Sequence, residues 1–526
     1  MTGSQQGRSQ QRETGGEMTG GQAAIAAAVE AGIEVCFANA GTTEIHMVEA
    51  LDRYPEVRSV LGLFEGVCSG AADGYARIAG KPALTLVHLG PGFANSAANQ
   101  HNARRAWSPV VNLIGDQASW HLEHDAPLTS DIDAIAGWAG WVGRSTSADD
   151  VAAIVGEAIV AATTGAPRPA SAVLAADHTW EPATGPLPRV SFGGPVTHDD
   201  GTVAAAAAAL TQPGAALIAG GRHISAVTKG AMAAIATTTG CTVWAGRHAT
   251  ADHGGGTADI AELPYFPEPL IAALADTSVA VLAGLPEPVC FFGYPDTPSQ
   301  PLPADAQRVQ LCGPEHDLEA TMLALHAAVG AEPVAATVTA EPVVRPTGPL
   351  TSAALGQAII ACMPENAILV QEAITNRAAL SPHVAASVPF TQLNGTGGAI
   401  GGGPPMAIGA AVAAPNRRVV SFQADGSGLY TIQSLWTMAR EQLDISIVII
   451  NNRSYKIIEV EAQRAGLDPG EATRALLDLD RPEINFADLA KGFGMASARA
   501  TTADEVVSLL DAANATPGPF LIDAVL

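Results

Sequence analysis

Basic residues are scarce in this chain. It has 526 residues, with 27 Lys and Arg against 52 Asp and Glu, and a formal net charge of −25 at pH 7. A surface of this sign repels the phosphates of nucleic acids and the headgroups of anionic membranes, so neither is an expected partner. The charge does not exclude a small anionic substrate, because such a molecule responds to the local field of its site.

Long apolar runs are also missing. No uninterrupted hydrophobic segment reaches the roughly 20 residues that a membrane-spanning helix needs. Residues 1–17 are rich in Gly, Gln, Ser, Thr and Arg and lack the apolar core of a signal peptide, which predicts a disordered tail. The six cysteines are scattered, without a Cys-x-x-Cys pair. This spacing argues against disulfides and structural zinc and favours reduced thiols in a cytoplasmic protein.

Strand and helix patterns alternate through the rest of the chain. Apolar runs typical of buried strands occupy residues 33–37, 84–87, 110–114, 215–221, 279–283 and 519–525. Their alternation with helices predicts an α/β protein whose parallel sheets carry helices on both faces. Proline-rich linkers at residues 181–195 and 331–349 separate three doubly wound domains, predicted at residues 18–180, 196–332 and 350–526.

Two polar side chains follow neighbouring apolar runs in the third domain. Asp425 comes directly after residues 419–422, and Asn452 ends the next run. A helix predicted over residues 429–440 connects the two strands, so they run parallel and end at the edge where open α/β sheets bind ligands. Carboxylate and amide oxygens suit Mg²⁺, and the glycine-rich turn before the helix suits a phosphate. The unit therefore predicts a site for a metal-bound diphosphate.

The same two segments resemble the signature of thiamin diphosphate-dependent enzymes. In that family the pattern begins Gly-Asp-Gly and ends Asn-Asn, and here Ala424 replaces the first glycine. The resemblance implies pyrimidine-binding, middle and diphosphate-binding domains, in that order. It also implies a Mg²⁺ site and a diphosphate site made by Asp425, Asn452, the main-chain carbonyl of Ser454, Gly426 and Ser427.

Glu65 in the first domain resembles the residue that activates the cofactor in this family. It precedes a run of small residues that ends Asp73-Gly74-Tyr75-Ala76, as in the family. The cofactor becomes reactive when a carboxyl group hydrogen-bonds its aminopyrimidine in a dry pocket, and this role is implied for Glu65. The alternative is an ordinary glutamate at a helix N-terminus. Ile400 falls where the family has an aliphatic residue beneath the bent cofactor, and Gly398 permits close backbone approach.

His88 separates two groups within the family. Residues 88–92 contain the Gly-Pro-Gly of acetolactate synthases, but a histidine at this spacing from Glu65 resembles benzoylformate decarboxylase. Its alternatives are a proton shuttle at the cofactor and a partly buried structural histidine. The second active-site histidine of that decarboxylase has no counterpart, since residues 290–295 lie there instead. By position, the predicted substrate pocket consists of Thr42, Ile457, Ile458 and Glu461, although the last three also suit the core-facing side of a helix.

The overall likeness is to acetolactate synthase large-subunit-like proteins, which share Gly41-Thr42-Thr43-Glu44 and His46. True synthases hold FAD with Gly-x-His-Gly and Phe-Asp-Asp-Arg segments that are missing here. Residues 253–256 are a poor substitute and are predicted to be a flexible loop. FAD is therefore not expected.

The resemblance implies an enzyme that uses thiamin diphosphate and Mg²⁺ to decarboxylate a small 2-oxo acid. The remaining enamine would join an aldehyde or a second 2-oxo acid in an acetolactate synthase-like carboligation. Two alternatives stay open: simple decarboxylation to an aldehyde, as in benzoylformate decarboxylase, and a non-catalytic homologue that only binds the cofactor. Since Glu65 and the diphosphate site lie in different domains, the family pattern implies a homodimer or homotetramer with sites between subunits.

Overall fold

Three parallel sheets with helices packed against them form the framework of the chain. The computed structural model describes residues 18–247, 249–332 and 341–526. Its three larger sheets have six, four and seven strands, which confirms the predicted α/β class. The predicted tail at residues 1–17 lies outside the described residues. Domain boundaries stay a prediction.

The first sheet has six parallel strands. The strands of this part of the chain are β1 (Met18–Thr19), β2 (Val35–Asn39), β3 (Arg58–Leu61), β4 (Ala83–Val87), β5 (Val110–Asp116), β6 (Trp141–Arg144), β7 (Pro169–Ala175) and β8 (Pro182–Ala183). Its helices are α1 (Gly20–Glu30), α2 (Ile45–Arg53), α3 (Glu65–Ala79), α4 (Leu89–Arg105), α5 (Ile132–Gly137), α6 (Val151–Thr163) and α7 (Ala176–Trp180). The sheet order is β3-β2-β4-β5-β7-β6, while β1 and β8 form a separate antiparallel pair. Every residue of β4 and β5 is buried, as expected for central strands covered on both faces.

The second sheet is smaller and has four parallel strands. Elements here are β9 (Ala215–Ala219), β10 (Thr242–Ala245), β11 (Asp252–Gly254), β12 (Val279–Ala283) and β13 (Gln307–Cys312), with α8 (Asp200–Leu210), α9 (Ala226–Thr239), α10 (Pro267–Leu274) and α11 (Leu318–Ala328). The order is β10-β9-β12-β13. Strand β11 does not join this sheet.

The third sheet has seven strands, six of them parallel. Its further strands are β14 (Ile368–Glu372), β15 (Phe390–Asn394), β16 (Val419–Ala424), β17 (Ile445–Asn451), β18 (Ala496–Ala500) and β19 (Phe520–Val525). Its helices are α12 (Ser352–Ala361), α13 (Ser381–Val384), α14 (Gly403–Ala413), α15 (Asp425–Gly428), α16 (Ser434–Arg440), α17 (Lys456–Arg464), α18 (Glu471–Leu477), α19 (Phe486–Gly492) and α20 (Ala503–Ala515). The order is β11-β15-β14-β16-β17-β19-β18, with β11 antiparallel at the edge.

Two local predictions were wrong. Residues 253–256 are not wholly a loop, because β11 includes His253 and Gly254 and pairs with β15. The helix predicted over residues 429–440 is interrupted: a 3-10 turn at Leu429–Thr431 separates α15 from α16. The Thr431 hydroxyl donates to the Gly401 carbonyl at 2.8 Å, a tertiary bond that ties the interrupted segment to the loop before α14.

Close packing of α3 against α14 joins the first and third sheets. A Cβ added to Gly74 would lie 2.2 Å from the Met406 carbonyl oxygen, and one added to Gly409 would lie 1.9 Å from that of Ala71. The small residues of α3 therefore allow the close helix approach that their sequence predicts. The Arg77–Asp73 ion pair, at 2.6 Å, is buried at the same contact, and Arg77 also donates to the Asn394 carbonyl at 2.8 Å.

All six cysteines are free and buried. Burial raises the pKa of Cys36 to about 12, so this thiol is a poor nucleophile near neutral pH. Within residues 18–247, 249–332 and 341–526, every helix is too short or too polar to span a bilayer.

Candidate active site

Asp425 and Asn452 meet at the carboxyl ends of two adjacent parallel strands, β16 and β17. Asp425 is the first residue of α15, and its two oxygens accept main-chain N–H groups: Gly426 donates to Oδ1 at 2.8 Å and Arg453 to Oδ2 at 2.6 Å. The Ser454 N–H donates to Asn452 Oδ1 at 3.0 Å. The three predicted metal ligands therefore lie in two neighbouring turns that a main-chain hydrogen bond connects.

The Asp425 carboxylate is buried without a cationic neighbour. Its residue is 2% exposed, and no Lys or Arg of the described chain forms an ion pair with it. Burial raises its pKa, while the N–H bonds from Gly426 and Arg453 act in the opposite direction. A buried carboxylate with free lone pairs and no ion pair suits a bound cation. The described residues contain no group of three or more His, Cys, Asp or Glu able to hold a metal, so a cation here would depend on amide and carbonyl oxygens as well.

The turn after Asp425 has the small residues that close approach of a ligand requires. A Cβ on Gly426 would lie 2.6 Å from Cε1 of Tyr455. The Ser427 hydroxyl is 2.6 Å from the Nε2 of Gln423, which donates to it. The other end of that amide, Gln423 Oε1, is buried and has no hydrogen-bond partner in the described structure. The predicted diphosphate residues Gly426 and Ser427 thus lie in a tight, buried polar turn.

Glu372 fixes the loop that carries Ile400. This glutamate at the end of β14 accepts three main-chain N–H groups, from Gly401 at 2.8 Å, Gly402 at 3.3 Å and Gly403 at 2.8 Å. Burial raises its pKa, opposed by these three hydrogen bonds. The predictions missed Glu372, although a glutamate that ends an apolar strand was a visible signal. The half-buried Ile400 precedes this anchored segment directly.

The same loop also contacts α4. Asn102 donates from Nδ2 to the Ala399 carbonyl at 2.8 Å and accepts the Ala399 N–H at 3.3 Å. Gly398 has a φ of 80°, and a Cβ there would lie 2.6 Å from the ring of Phe291. Both conformation and space therefore favour glycine at this predicted cofactor position.

Gly92 lies close to both Glu65 and His88. Glu65 is the first residue of α3, is buried, and accepts the Asn95 side-chain amide at 3.0 Å. A Cβ on Gly92 would lie 2.9 Å from Glu65 Oε1 and 3.4 Å from His88 Cβ. The second glycine of the Gly-Pro-Gly segment is thus close to both predicted catalytic residues, and a larger side chain there would meet Glu65.

His88 lies in the turn between β4 and α4. The next residue, Leu89, has a φ of 52°, a left-handed conformation that costs a non-glycine residue about 1–2 kcal/mol. His88 Nδ1 is 2.8 Å from Oε2 of Glu44, a residue that the predictions missed. Glu44 ends the 3-10 turn Thr42–Glu44 and lies in the Gly41-Thr42-Thr43-Glu44 segment, but nothing local in sequence places it beside residue 88.

The predicted substrate residues have different surroundings. Thr42 is exposed, whereas its neighbour Thr43 contacts His88 Nδ1 at 3.3 Å. Ile458 is exposed and Ile457 is half-buried on α17.

Glu461 lies further along α17 and accepts the Tyr294 hydroxyl at 3.1 and 3.2 Å. Burial and this contact raise the pKa of Tyr294. Tyr294 belongs to the segment that replaces the second histidine of benzoylformate decarboxylase, and its contact with α17 was not predicted.

A cavity of about 370 Å³ adjoins this region on the side of the second sheet. Its walls include Gly397 beside the Ile400 loop, Phe291, and the side chains of Arg105 and Arg247. None of the predicted site residues lines it, so the cavity borders the candidate site without containing it.

Comparison with known proteins identifies the family. The model "Thiamine pyrophosphate enzyme, N-terminal TPP binding domain" matches residues 18–136, and "Thiamine pyrophosphate enzyme, C-terminal TPP binding domain" matches residues 377–524. A Mycobacterium tuberculosis protein described as "Putative acetolactate synthase large subunit IlvX" is 44% identical over 520 residues, which cover 97% of this chain and 99% of that protein. The chain belongs to the thiamine pyrophosphate enzyme family. It is thus a thiamin diphosphate-dependent enzyme, as the sequence predicts.

Two further members of the family match along nearly the whole chain. Benzoylformate decarboxylase of Pseudomonas aeruginosa is 26% identical over 533 residues, covering 94% of this chain and 96% of that enzyme. The structure of a Rhodococcus jostii thiamine diphosphate-dependent 4-hydroxybenzoylformate decarboxylase superposes with a TM-score of 0.81 at 23% identity, covering 96% of this chain and 99% of that one. This structural likeness shows a shared fold.

Proposed function

We propose that this enzyme uses thiamin diphosphate and Mg²⁺ to decarboxylate a small 2-oxo acid and join the remaining unit to a second carbonyl compound. The observation that carries the carboligase assignment is the 44% identity, end to end, with a protein described as an acetolactate synthase large subunit. The buried, cation-free Asp425 beside Asn452 supports the metal in this proposal.

Each candidate residue has a defined task in this reaction. When bound, thiamin diphosphate supplies a nucleophilic carbon that allows a 2-oxo acid to lose CO₂. Asp425, Asn452 and the Ser454 carbonyl would hold Mg²⁺, while Gly426 and Ser427 would contact the diphosphate. Ile400 would pack against the cofactor. Glu65 would hold a proton at a nitrogen of the aminopyrimidine.

A second candidate function is decarboxylation that ends with release of an aldehyde. The observation that favours it is His88, whose side chain is 25% exposed and whose Nδ1 contacts Glu44. With Nδ1 occupied by Glu44, the opposite nitrogen, Nε2, is available to take up a proton from water and then pass it to the reacting carbon. Carboligation and aldehyde release then differ in whether a carbonyl compound or this proton arrives first.

A substrate panel distinguishes the two functions. The holoenzyme is incubated with straight-chain, branched and aryl 2-oxo acids, each with and without added aldehyde, and the products are quantified by NMR. Carboligation predicts 2-hydroxy ketones or 2-hydroxy-3-oxo acids, and the alternative predicts aldehyde as the main product. His88→Asn should lower aldehyde release by about 10²–10⁴-fold if its ring delivers the proton. His326→Asn, on α11 of the second sheet, is the matched control. No turnover with any acid would overturn both functions.

The proposed assembly is a homodimer or homotetramer. Large apolar side chains lie exposed beside the candidate residues: Ile45, 54% exposed, follows Glu44, and Leu63, 42% exposed, precedes Glu65. In the 3-10 turn Leu429–Thr431, Tyr430 is 56% exposed next to the Gly401 loop. A second subunit would remove these surfaces from water and close the site. Sedimentation velocity at assay concentration tests this, and a fully active monomer would contradict it.

A further inference from the structure

Glu44 is a fully buried carboxylate in contact with the histidine of the candidate site. We infer that Glu44 is a positioning residue that holds the His88 imidazole with Nδ1 protonated, leaving Nε2 unprotonated and directed away from Glu44. The inference deepens the proposed function, since it concerns the ring that would carry the proton there. It adds a residue that acts through His88 and does not itself touch the substrate.

Both carboxylate oxygens of Glu44 have defined partners. Oε2 accepts the Gly41 N–H at 2.8 Å and lies 2.8 Å from His88 Nδ1. Oε1 accepts the Thr43 hydroxyl at 2.7 Å. Because these oxygens act as acceptors, the hydrogen between Glu44 and His88 belongs to Nδ1. The neutral ring then carries its lone pair on Nε2.

The space around the pair leaves little freedom for either side chain. A Cβ on Gly41 would lie 2.2 Å from His88 Nδ1. A Cβ on Gly115, in β5, would lie 1.9 Å from Glu44 Oε1. Two glycines from different parts of the chain therefore form the pocket for this contact.

Glu44 has a simpler role that also fits part of this geometry. It is the third residue of the turn Thr42–Glu44, whose N-cap is Gly41, so its bond to the Gly41 N–H is that of a capping glutamate. A capping role explains only the hydrogen bond that Glu44 accepts from the Gly41 N–H. It does not require a particular ring nitrogen of His88 to be protonated. The two roles are therefore separable by observing the ring itself.

The first test reads the tautomer directly by NMR of the holoenzyme labelled with ¹⁵N-histidine. His88, assigned by the loss of its signals in His88→Asn, should show a protonated Nδ1 and an unprotonated Nε2. His101 is an internal reference of the opposite tautomer, since its Nε2 donates to the Gly397 carbonyl at 2.9 Å. In Glu44→Gln, the amide that replaces the carboxylate should change the His88 tautomer ratio and leave His101 unchanged. A wild-type His88 with unprotonated Nδ1 would overturn the inference without any variant.

The second test measures turnover on the best substrate from the panel. Glu44→Gln should lower kcat by roughly 10- to 100-fold, the range seen when the partner that orients a histidine is removed, with little change in KM. The Glu44→Gln/His88→Asn double variant should be no worse than His88→Asn alone, because Glu44 acts through the ring. Additive losses would contradict the inference. If the tautomer is held as expected but His88→Asn leaves turnover unchanged, Glu44 positions the ring and the proposed proton transfer is wrong.

Discussion

The first and third sheets each place a buried carboxylate near the carboxyl end of a strand, yet the two groups are stabilised differently. Glu44 has a histidine, a hydroxyl and a main-chain N–H around it, all from the chain itself. Asp425 has main-chain N–H donors and no ion pair among the described residues. Glu44 thus has side-chain partners within the chain, whereas the described partners of Asp425 are main-chain groups only, and a cation would stabilise it further. Burial alone does not reveal a metal ligand; a buried carboxylate without side-chain partners does.

Of the substitutions that test this comparison, replacement of Asp425 should have the largest effect. Asp425→Ala removes both a metal ligand and the charge that balances the ion. The affinity for thiamin diphosphate in the presence of Mg²⁺ should fall by more than about 100-fold, since residues that merely orient metal ligands are worth roughly 10- to 100-fold. Isothermal titration calorimetry measures it, with Asp468→Ala, an exposed aspartate, as control. Unchanged cofactor affinity would remove the metal assignment.

Glu65→Gln tests the proposed action of the Glu65 carboxyl group, at the start of α3, on the cofactor. The amide keeps the shape and loses the exchangeable acid, so cofactor affinity should stay near normal while turnover falls by about 10²–10⁴-fold. Exchange of the cofactor C2 hydrogen for deuterium, followed by NMR, should slow with it. Glu157→Gln, on the exposed side of α6, is the control. Normal exchange in Glu65→Gln would leave Glu65 a structural role only.

Gly115→Ala tests how tightly the protein packs around the Glu44 carboxylate, the first of the two groups compared above. The added methyl would meet Glu44 Oε1 at 1.9 Å and force the cluster to shift. We expect a loss of about 1–3 kcal/mol in the free energy of unfolding, as for other overpacked sites. Gly137→Ala, whose Cβ would meet its nearest neighbour at 4.0 Å, should be neutral or slightly stabilising in helix α5. Equal stability of both variants, measured by urea unfolding, would mean that the pocket around Glu44 is not tight.

The smallest expected effect is a change in the thermal stability of the apoenzyme with pH. Because burial raises the pKa of Asp425 in the folded state, the folded protein binds a proton more readily than the unfolded chain does. This group therefore destabilises the apoenzyme as pH rises from the unfolded pKa through the raised folded one. Asp425→Asn should increase the Tm of the apoenzyme at neutral pH, with a smaller gain at lower pH, and should abolish the stabilisation given by Mg²⁺ with cofactor. A lower Tm of apo Asp425→Asn at neutral pH would contradict this sign.

Sequence patterns were sufficient where each residue is specified by its own neighbours. Asp425 and Asn452 each follow an apolar strand, so their position at the end of the sheet was predictable. The small residues after Glu65 likewise predict the close contact of α3 with another helix. The Glu44–His88 and Tyr294–Glu461 contacts join residues 44 and 167 positions apart, and no local period records such pairs. The interrupted helix before Ser434 has the same cause, since the Thr431 bond to Gly401 comes from another loop. These features were not predicted because they depend on tertiary contacts, which local sequence patterns do not record.

The contact between α3 and α14 has a practical consequence for redesign of this enzyme. A Cβ at Gly74 or Gly409 would clash with a main-chain carbonyl oxygen of the facing helix. Unlike a side chain, a main-chain carbonyl cannot change rotamer to relieve the clash. A library aimed at new substrates can vary the predicted substrate residues Thr42, Ile457 and Ile458, whose side chains are exposed or half-buried. It should hold the two glycines fixed, because a single methyl at either one would push apart the halves of the molecule that carry Glu65 and Asp425.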